Sequence, residues 1–225
     1  MADRTQYSLA EIRRSHPSDK ARNEWQTEWA LSLLYRRPGF IVAWALLRLG
    51  FNANHATAAS LVLTLLMPFA ALAMPIEAAA VMVFWLAVTH QILDCADGSM
   101  ARVTGTAGAA GARFDFLVDM LHWGLLYLSL GLLADAQFNS GWTWTAVALF
   151  AGWLRLFARV CRDSTPTPPP TADAPAPPFI VMAVSGLNGL IPLLPVAGDH
   201  LHWAVLFITV FSVLDLADSL PGALR

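Results

Sequence analysis

The chain has 225 residues, of which 56% are hydrophobic and only 13% charged, with nine Trp and twelve Phe. Soluble domains carry about 25% charged residues, so this composition excludes an ordinary water-soluble globule. A formal net charge of −2 gives no sign of a nucleic-acid partner, and two cysteines, Cys95 and Cys161, supply neither a disulfide framework nor metal-ligand spacing.

The first segment, "MADRTQYSLAEIRRSHPSDKARNEWQTEW", is polar and mixed in charge. It lacks the apolar core and small-residue cleavage site of a secretory leader. Glu24 and Glu28 within it read as a solvated helix face. Residues 29–50, "WALSLLYRRPGFIVAWALLRLG", mix aromatic and aliphatic residues with Arg36, Arg37 and Arg48. That pattern predicts an amphipathic helix lying at head-group level, with Pro38 beginning or kinking it. Residues 1–50 therefore form a cytosolic segment with an interfacial helix, and 51–225 form a membrane domain.

No formal charge occurs between Arg48 and Glu77, over residues 136–154, or over residues 174–198. Crossing a bilayer takes about 20 apolar residues. The predicted fold class is all-α, a polytopic membrane protein with six spans near 53–75, 77–99, 112–134, 141–161, 178–198 and 200–219. Eight of the fourteen Lys and Arg residues precede position 49, and the rest cluster at Arg102 and Arg113, at Arg155, Arg159 and Arg162, and at Arg225. Connections near 75–77, 135–140 and 199 contain none. Basic residues favour the cytoplasmic side, which predicts both termini inside. The stretch 164–178, rich in proline, is expected to be an extended cytosolic loop.

The chemistry is concentrated in "LDCADGSMARVTGTAGAAGARFDFLVDM", residues 93–120. Asp94 and Asp97 are three apart and Asp115 and Asp119 four apart, so each pair shares a helix face. The glycine-rich stretch between them lets one helix end turn back beside the next, bringing the pairs together. Converging carboxylates repel, and desolvation near lipid costs several kcal/mol per ion. They can protonate, pair with Arg, or bind divalent cations, and hard oxygen ligands suit Mg²⁺ or Mn²⁺. A two-metal carboxylate site commonly serves displacement at phosphorus.

Asp94-x-x-Asp97-Gly98-x-x-Ala101-Arg102, eight residues, then Gly111-x-x-x-Asp115-x-x-x-Asp119 resembles the signature of the class I CDP-alcohol phosphatidyltransferase family at every fixed position. "FNANHAT" stands where that family often reads Pro-Asn-x-x-Thr; Asn54 and Thr57 fit, while Ala53 replaces the proline. The resemblance implies an integral-membrane enzyme of phospholipid synthesis. It would transfer a substituted phosphoryl group from a CDP-alcohol, with CDP-diacylglycerol favoured, to an acceptor alcohol, releasing CMP. It further implies that Asp94, Asp97, Asp115 and Asp119 hold two divalent ions, Mg²⁺ or Mn²⁺, with Asp119 also the candidate general base. Asp94, Asp97, Gly98, Ala101, Arg102, Gly111, Asp115 and Thr57 would bind CDP, Arg102 pairing with a phosphate. A homodimer among membrane lipids is expected.

Met120 departs from the Lys or Arg that many members carry after the last aspartate. Candidate acceptor contacts are His122, one turn beyond Asp119, and Arg155 and Arg159 of the Arg155, Arg159, Arg162 face. Each has a plain alternative: packing for His122, as for His55 and His90, and topology with lipid head-group contact for the arginines. The competing functional classes are an ion-coupled transporter and a non-catalytic scaffold. A transporter would place its carboxylates near mid-membrane on broken helices.

Overall fold

A computed structural model describes residues 7–164 and 179–223; all but the first residue of the expected Pro-rich loop, and Arg225, lie outside the described residues. Four short helices open the chain: α1 (Leu9–Arg14), α2 (Ser18–Thr27), α3 (Trp29–Leu34) and α4 (Arg36–Arg48). Four long ones follow, α5 (Ala53–Ala73), α6 (Ile76–Val103), α7 (Ala109–Phe138) and α8 (Thr143–Ser164). The short α9 (Phe179–Gly186), a 3₁₀ stretch Leu187–Val196, a 3₁₀ turn Gly198–His200 and α10 (Leu201–Ala223) complete the order, with no strand among the described residues.

Five segments, Ala53–Ala73, Ile76–Val103, Ala109–Phe138, Thr143–Asp163 and Gly198–Pro221, are long and apolar enough to cross a bilayer. Their outward faces carry large apolar side chains such as Phe69, Trp153 and Trp203, each at least 60% exposed, as a lipid-facing surface requires. The chain is a multi-pass membrane protein. Where the sequence predicts a fifth span at 178–198, α9 gives way to the 3₁₀ stretch instead of continuing as one α-helix. Pro192 and Pro195 lie inside that stretch, and proline cannot donate to the α-helical ladder.

Local sequence sets the ends of these elements. Asn52 caps α5 through a reciprocal pair in which His55 N–H donates to Asn52 Oδ1 and Asn52 N–H donates to His55 Nδ1. His55 is thus a capping residue. Between α6 and α7 only Thr104–Gly108 is non-helical, and Gly105 takes φ +66°, the left-handed conformation that ends α6. Gly111 already lies inside α7. Asp135 near the end of α7 accepts from the backbone N–H of Trp144 and Thr145, holding the start of α8.

Apolar packing centres on Met67, Val83, Leu126, Leu130, Leu133, Ile191, Val205 and Ile208, drawn from α5, α6, α7, the 3₁₀ stretch and α10. A second cluster joins Ile12 of α1 and Phe40, Ala43 and Leu47 of α4 to Ala56, Ala96 and Met100. The expected single amphipathic helix over 29–50 is two helices, divided at Tyr35, whose hydroxyl donates to the Gly189 carbonyl at 2.9 Å. In α4, Gly39 meets Cys95 so closely that a Cβ there would lie 2.6 Å from the cysteine Cβ. Only glycine allows that approach. The N-terminal helices therefore pack on the same end of the bundle as the α6–α7 turn.

Candidate active site

α6 has 28 residues and α7 has 30, so each is about 42–45 Å long, against a hydrocarbon core of about 30 Å. The surplus turns carry the aspartates. Asp94, Asp97 and Asp115 each bring a carboxylate oxygen to within 4.8 Å of the others. No ion pair to any of these three forms among the described residues. Three hard oxygen donors so close together, none of them in an ion pair among the described residues, fit a divalent cation. Asp119 stands outside this group of three, one turn along α7, with Oδ1 3.9 Å from His90 Nε2. It shares a cavity of about 740 Å³ with the other three aspartates. The expected set of four is therefore three plus a neighbour.

A second cavity, of about 360 Å³, adjoins the cluster and is lined by Asn54, Thr57, Asp97, Gly98, Ala101, Arg102, Gly111 and Asp115. Every CDP-binding residue expected from the sequence except Asp94 lines it; Asp94 faces the larger cavity. Small residues keep the space open, and its volume falls in the range of small-molecule sites. Thr57 Oγ1 donates to Asp97 Oδ2 at 2.5 Å, fixing one carboxylate at the floor. Arg102 donates to Ser99 Oγ at 3.3 Å, while its Nε is buried without a hydrogen-bond partner. Arg102 as a whole lines the cavity, and a guanidinium there suits an anionic ligand.

The larger cavity is closed by residues that the sequence reading assigned elsewhere or passed over. Glu24 is not on a solvated face: it is buried, and Arg36 donates to both its oxygens at 2.7 and 3.1 Å. Arg36 also donates to the Cys95 carbonyl at 3.3 Å, so it turns inward instead of facing head groups. Glu28 is half-buried, and burial, then the Glu24 charge, push its carboxyl above the ordinary range. The available signal was an acidic residue twelve positions before an arginine, too far apart for helix spacing to connect.

On the α8 side the three arginines separate. Arg155 is 9% exposed and donates to Asp215 at 2.5 Å and to Asn188 Oδ1 at 2.8 Å. Arg162 donates to both oxygens of Asp215, at 2.6 and 3.0 Å. Arg159 is exposed and pairs with Asp163 at 3.2 Å. Asp215 and Asn188 were missed in the sequence, although an acidic residue inside the last apolar run was itself a signal. His122 is completely buried and lines neither cavity, so the acceptor contact expected of it is not supported by its position. Its ring faces Thr64 and Gln91 and stacks on His90.

The cluster lies in the last turns of α6 and the first turns of α7, beside the turn that joins them, not at mid-helix as a transport pathway would require. No curated protein matches the chain. The sequence model of the CDP-alcohol phosphatidyltransferase family matches residues 51–211, which include the three clustered aspartates, Asp119 and both cavity walls of α6 and α7, and the chain belongs to that family.

Proposed function

We propose that the protein transfers a substituted phosphoryl group from a CDP-alcohol, with CDP-diacylglycerol as donor, to an acceptor hydroxyl, releasing CMP. The observation that carries this reading is the unpaired group Asp94, Asp97 and Asp115 beside a cavity walled by Gly98, Ala101, Arg102 and Gly111. The nucleotide would occupy that cavity, its diphosphate toward Arg102. Asp94, Asp97 and Asp115, with Asp119 adjacent, would hold two divalent ions, Mg²⁺ or Mn²⁺. When bound, these ions would neutralise the diphosphate and the departing phosphate of CMP.

Asp119 accepts the proton of the acceptor hydroxyl as that oxygen attacks the phosphorus bearing the alcohol group. The new P–O bond forms, the bond to CMP breaks, and the electron pair leaves with CMP. Thr57 holds Asp97 in place, and Gly98 and Gly111 keep side chains out of the nucleotide's path. The acceptor would approach between Asp119 and Arg159, which line the same cavity. Arg155 and Arg162 already share Asp215, so their first role in this reading is to brace α8 against α10.

The same reading places the catalytic end in the cytoplasm, with both termini, because the basic residues collect there. It includes six crossings. The eight residues of α9 and the ten of the 3₁₀ stretch give about 12 Å plus about 20 Å, enough for the hydrocarbon core because the 3₁₀ rise is longer. α4 would lie along the inner interface, and a homodimer is the assembly expected from the family. The test is CMP release by purified protein given CDP-diacylglycerol, Mg²⁺ or Mn²⁺ and a panel of acceptor alcohols. Turnover should require the metal and fall about 10²–10⁴-fold in Asp119→Asn. Near-normal turnover in that variant removes Asp119 from the proton transfer.

A further inference from the structure

His90 and His122 have no part in the reaction as described, yet both are fully buried, at 1% and 0% exposure. Their rings, from α6 and α7, stack with centroids 3.6 Å apart and planes within 2°. A chain of polar contacts runs through them. Gln91 Nε2 is 3.4 Å from His122 Nε2, and Thr64 Oγ1 is 3.5 Å from His122 Nδ1 and 3.0 Å from His90 Nδ1. The remaining nitrogen, His90 Nε2, has no hydrogen-bond partner and faces Asp119 Oδ1 at 3.9 Å.

The chain has a direction. An amide nitrogen only donates, a hydroxyl has one hydrogen to give, and a neutral imidazole has one donor and one acceptor. If Gln91 donates to His122 Nε2, His122 must carry its proton on Nδ1 and give it to Thr64. Thr64 then gives its single hydrogen to His90 Nδ1, which leaves the His90 proton on Nε2, toward Asp119. A flipped Gln91 amide reverses every step and turns a lone pair at the carboxylate, which is repulsive in a medium of low dielectric. The Ser60 carbonyl, 3.3 Å from His90 Nδ1, is the one group that favours the reversed order.

We propose that His90 is a positioning residue: its Nε2–H orients Oδ1 of Asp119, through a tautomer fixed by the Gln91, His122 and Thr64 chain. The other carboxylate oxygen is thereby left for the acceptor proton or the metal. At 3.9 Å the contact is longer than a hydrogen bond, and it closes with about 1 Å of side-chain movement, as catalytic contacts do when a site fills. The functional half of this inference rests on the role given to Asp119 above; the tautomer does not.

Two measurements test it. The full chain, labelled with ¹⁵N at its six histidines and held in lipid nanodiscs without metal or substrate, gives the protonated nitrogen of each ring by NMR. The stacked pair is recognised by its mutual contacts. The expected result is Nε2–H on His90 and Nδ1–H on His122; the reversed pair overturns the proposal. The second measurement compares His90→Gln, whose amide nitrogen reaches the Nε2 position, with His90→Asn, whose amide reaches only the Nδ1 position. His90→Asn should lower kcat about 10–100-fold with KM for the CDP-alcohol unchanged, and His90→Gln should recover most of that loss. Equal losses in the two variants, or a loss confined to KM, overturn it. Absence of turnover in the wild type defeats the proposed reaction instead, and the tautomers then decide the positioning claim alone.

Discussion

On the α6–α7 side of the larger cavity, Asp94, Asp97 and Asp115 crowd their oxygens within 4.8 Å and none has an ion-pair partner among the described residues. On the α8–α10 side, Arg155 and Arg162 close on Asp215, and Arg159 on Asp163. The first group has no ion-pair partner among the described residues, and in the proposed function divalent ions would complete it; in the second, Asp215 is paired from α8 within the protein. Unpaired buried charge is destabilising, so its retention in one place and avoidance in the other marks where ligand binding is expected. A third corner, at α2 and α4, falls between these cases: Glu24 is paired with Arg36, while His16 sits 3.3 Å from Glu24 with its Nδ1 buried and unpartnered.

Breaking the incomplete group should have the largest effect on activity. Asp97→Asn is expected to lower metal-dependent CMP release by about 10³-fold. The same variant should raise the melting temperature measured in EDTA, because one of three repelling carboxylates is gone, whereas added Mg²⁺ should stabilise the wild type more than the variant. A melting temperature that falls in EDTA would show that Asp97 is already compensated inside the protein. Breaking the brace should act on stability first. Asp215→Asn leaves Arg155 buried without its carboxylate and should cost about 3 kcal/mol in reversible unfolding, and replacing Arg155 by Met in the same chain should recover part of it.

Smaller effects are expected where the N-terminal helices meet the bundle. Gly39→Val forces α4 away from Cys95 and should destabilise the protein by about 1–3 kcal/mol, read by thermal unfolding in detergent. The smallest is a pH effect. Burial holds His16 below the ordinary imidazole range, outweighing the opposing charge of Glu24. The folded state then binds fewer protons than the unfolded one. Stability should be retained above the ordinary value of about 6.5 and decline as pH falls through it toward the depressed value. His16→Gln should flatten that part of the pH profile.

Much of this architecture was legible because it is local. Long uncharged runs announce membrane helices, and offsets of three and four place Asp94 with Asp97 and Asp115 with Asp119 on helix faces. Gly105 marks the turn that folds the two halves together. The resemblance carried by the signature then supplied the expectation of a nucleotide site, and Gly98, Ala101, Arg102, Gly111 and Thr57 do line one cavity. The interruption of the fifth predicted crossing was also written locally, in Pro192 and Pro195, but an apolar run alone does not weigh a missing N–H against hydropathy.

What the sequence by itself determined is therefore the membrane setting, the order of the long helices α5 to α8 and the presence of a carboxylate cluster at one end of α6 and α7, since hydropathy and helical spacing act over a few residues. Only the tertiary structure decided which charges are paired. Glu24 reaches Arg36 across 12 positions, Arg155 reaches Asp215 across 60, and Thr64 comes between His90 and His122 from 26 and 58 positions away. Such partners are chosen by which helices pack together, and a side chain's charge acts on whatever the packing brings within a few ångströms, irrespective of its distance along the chain.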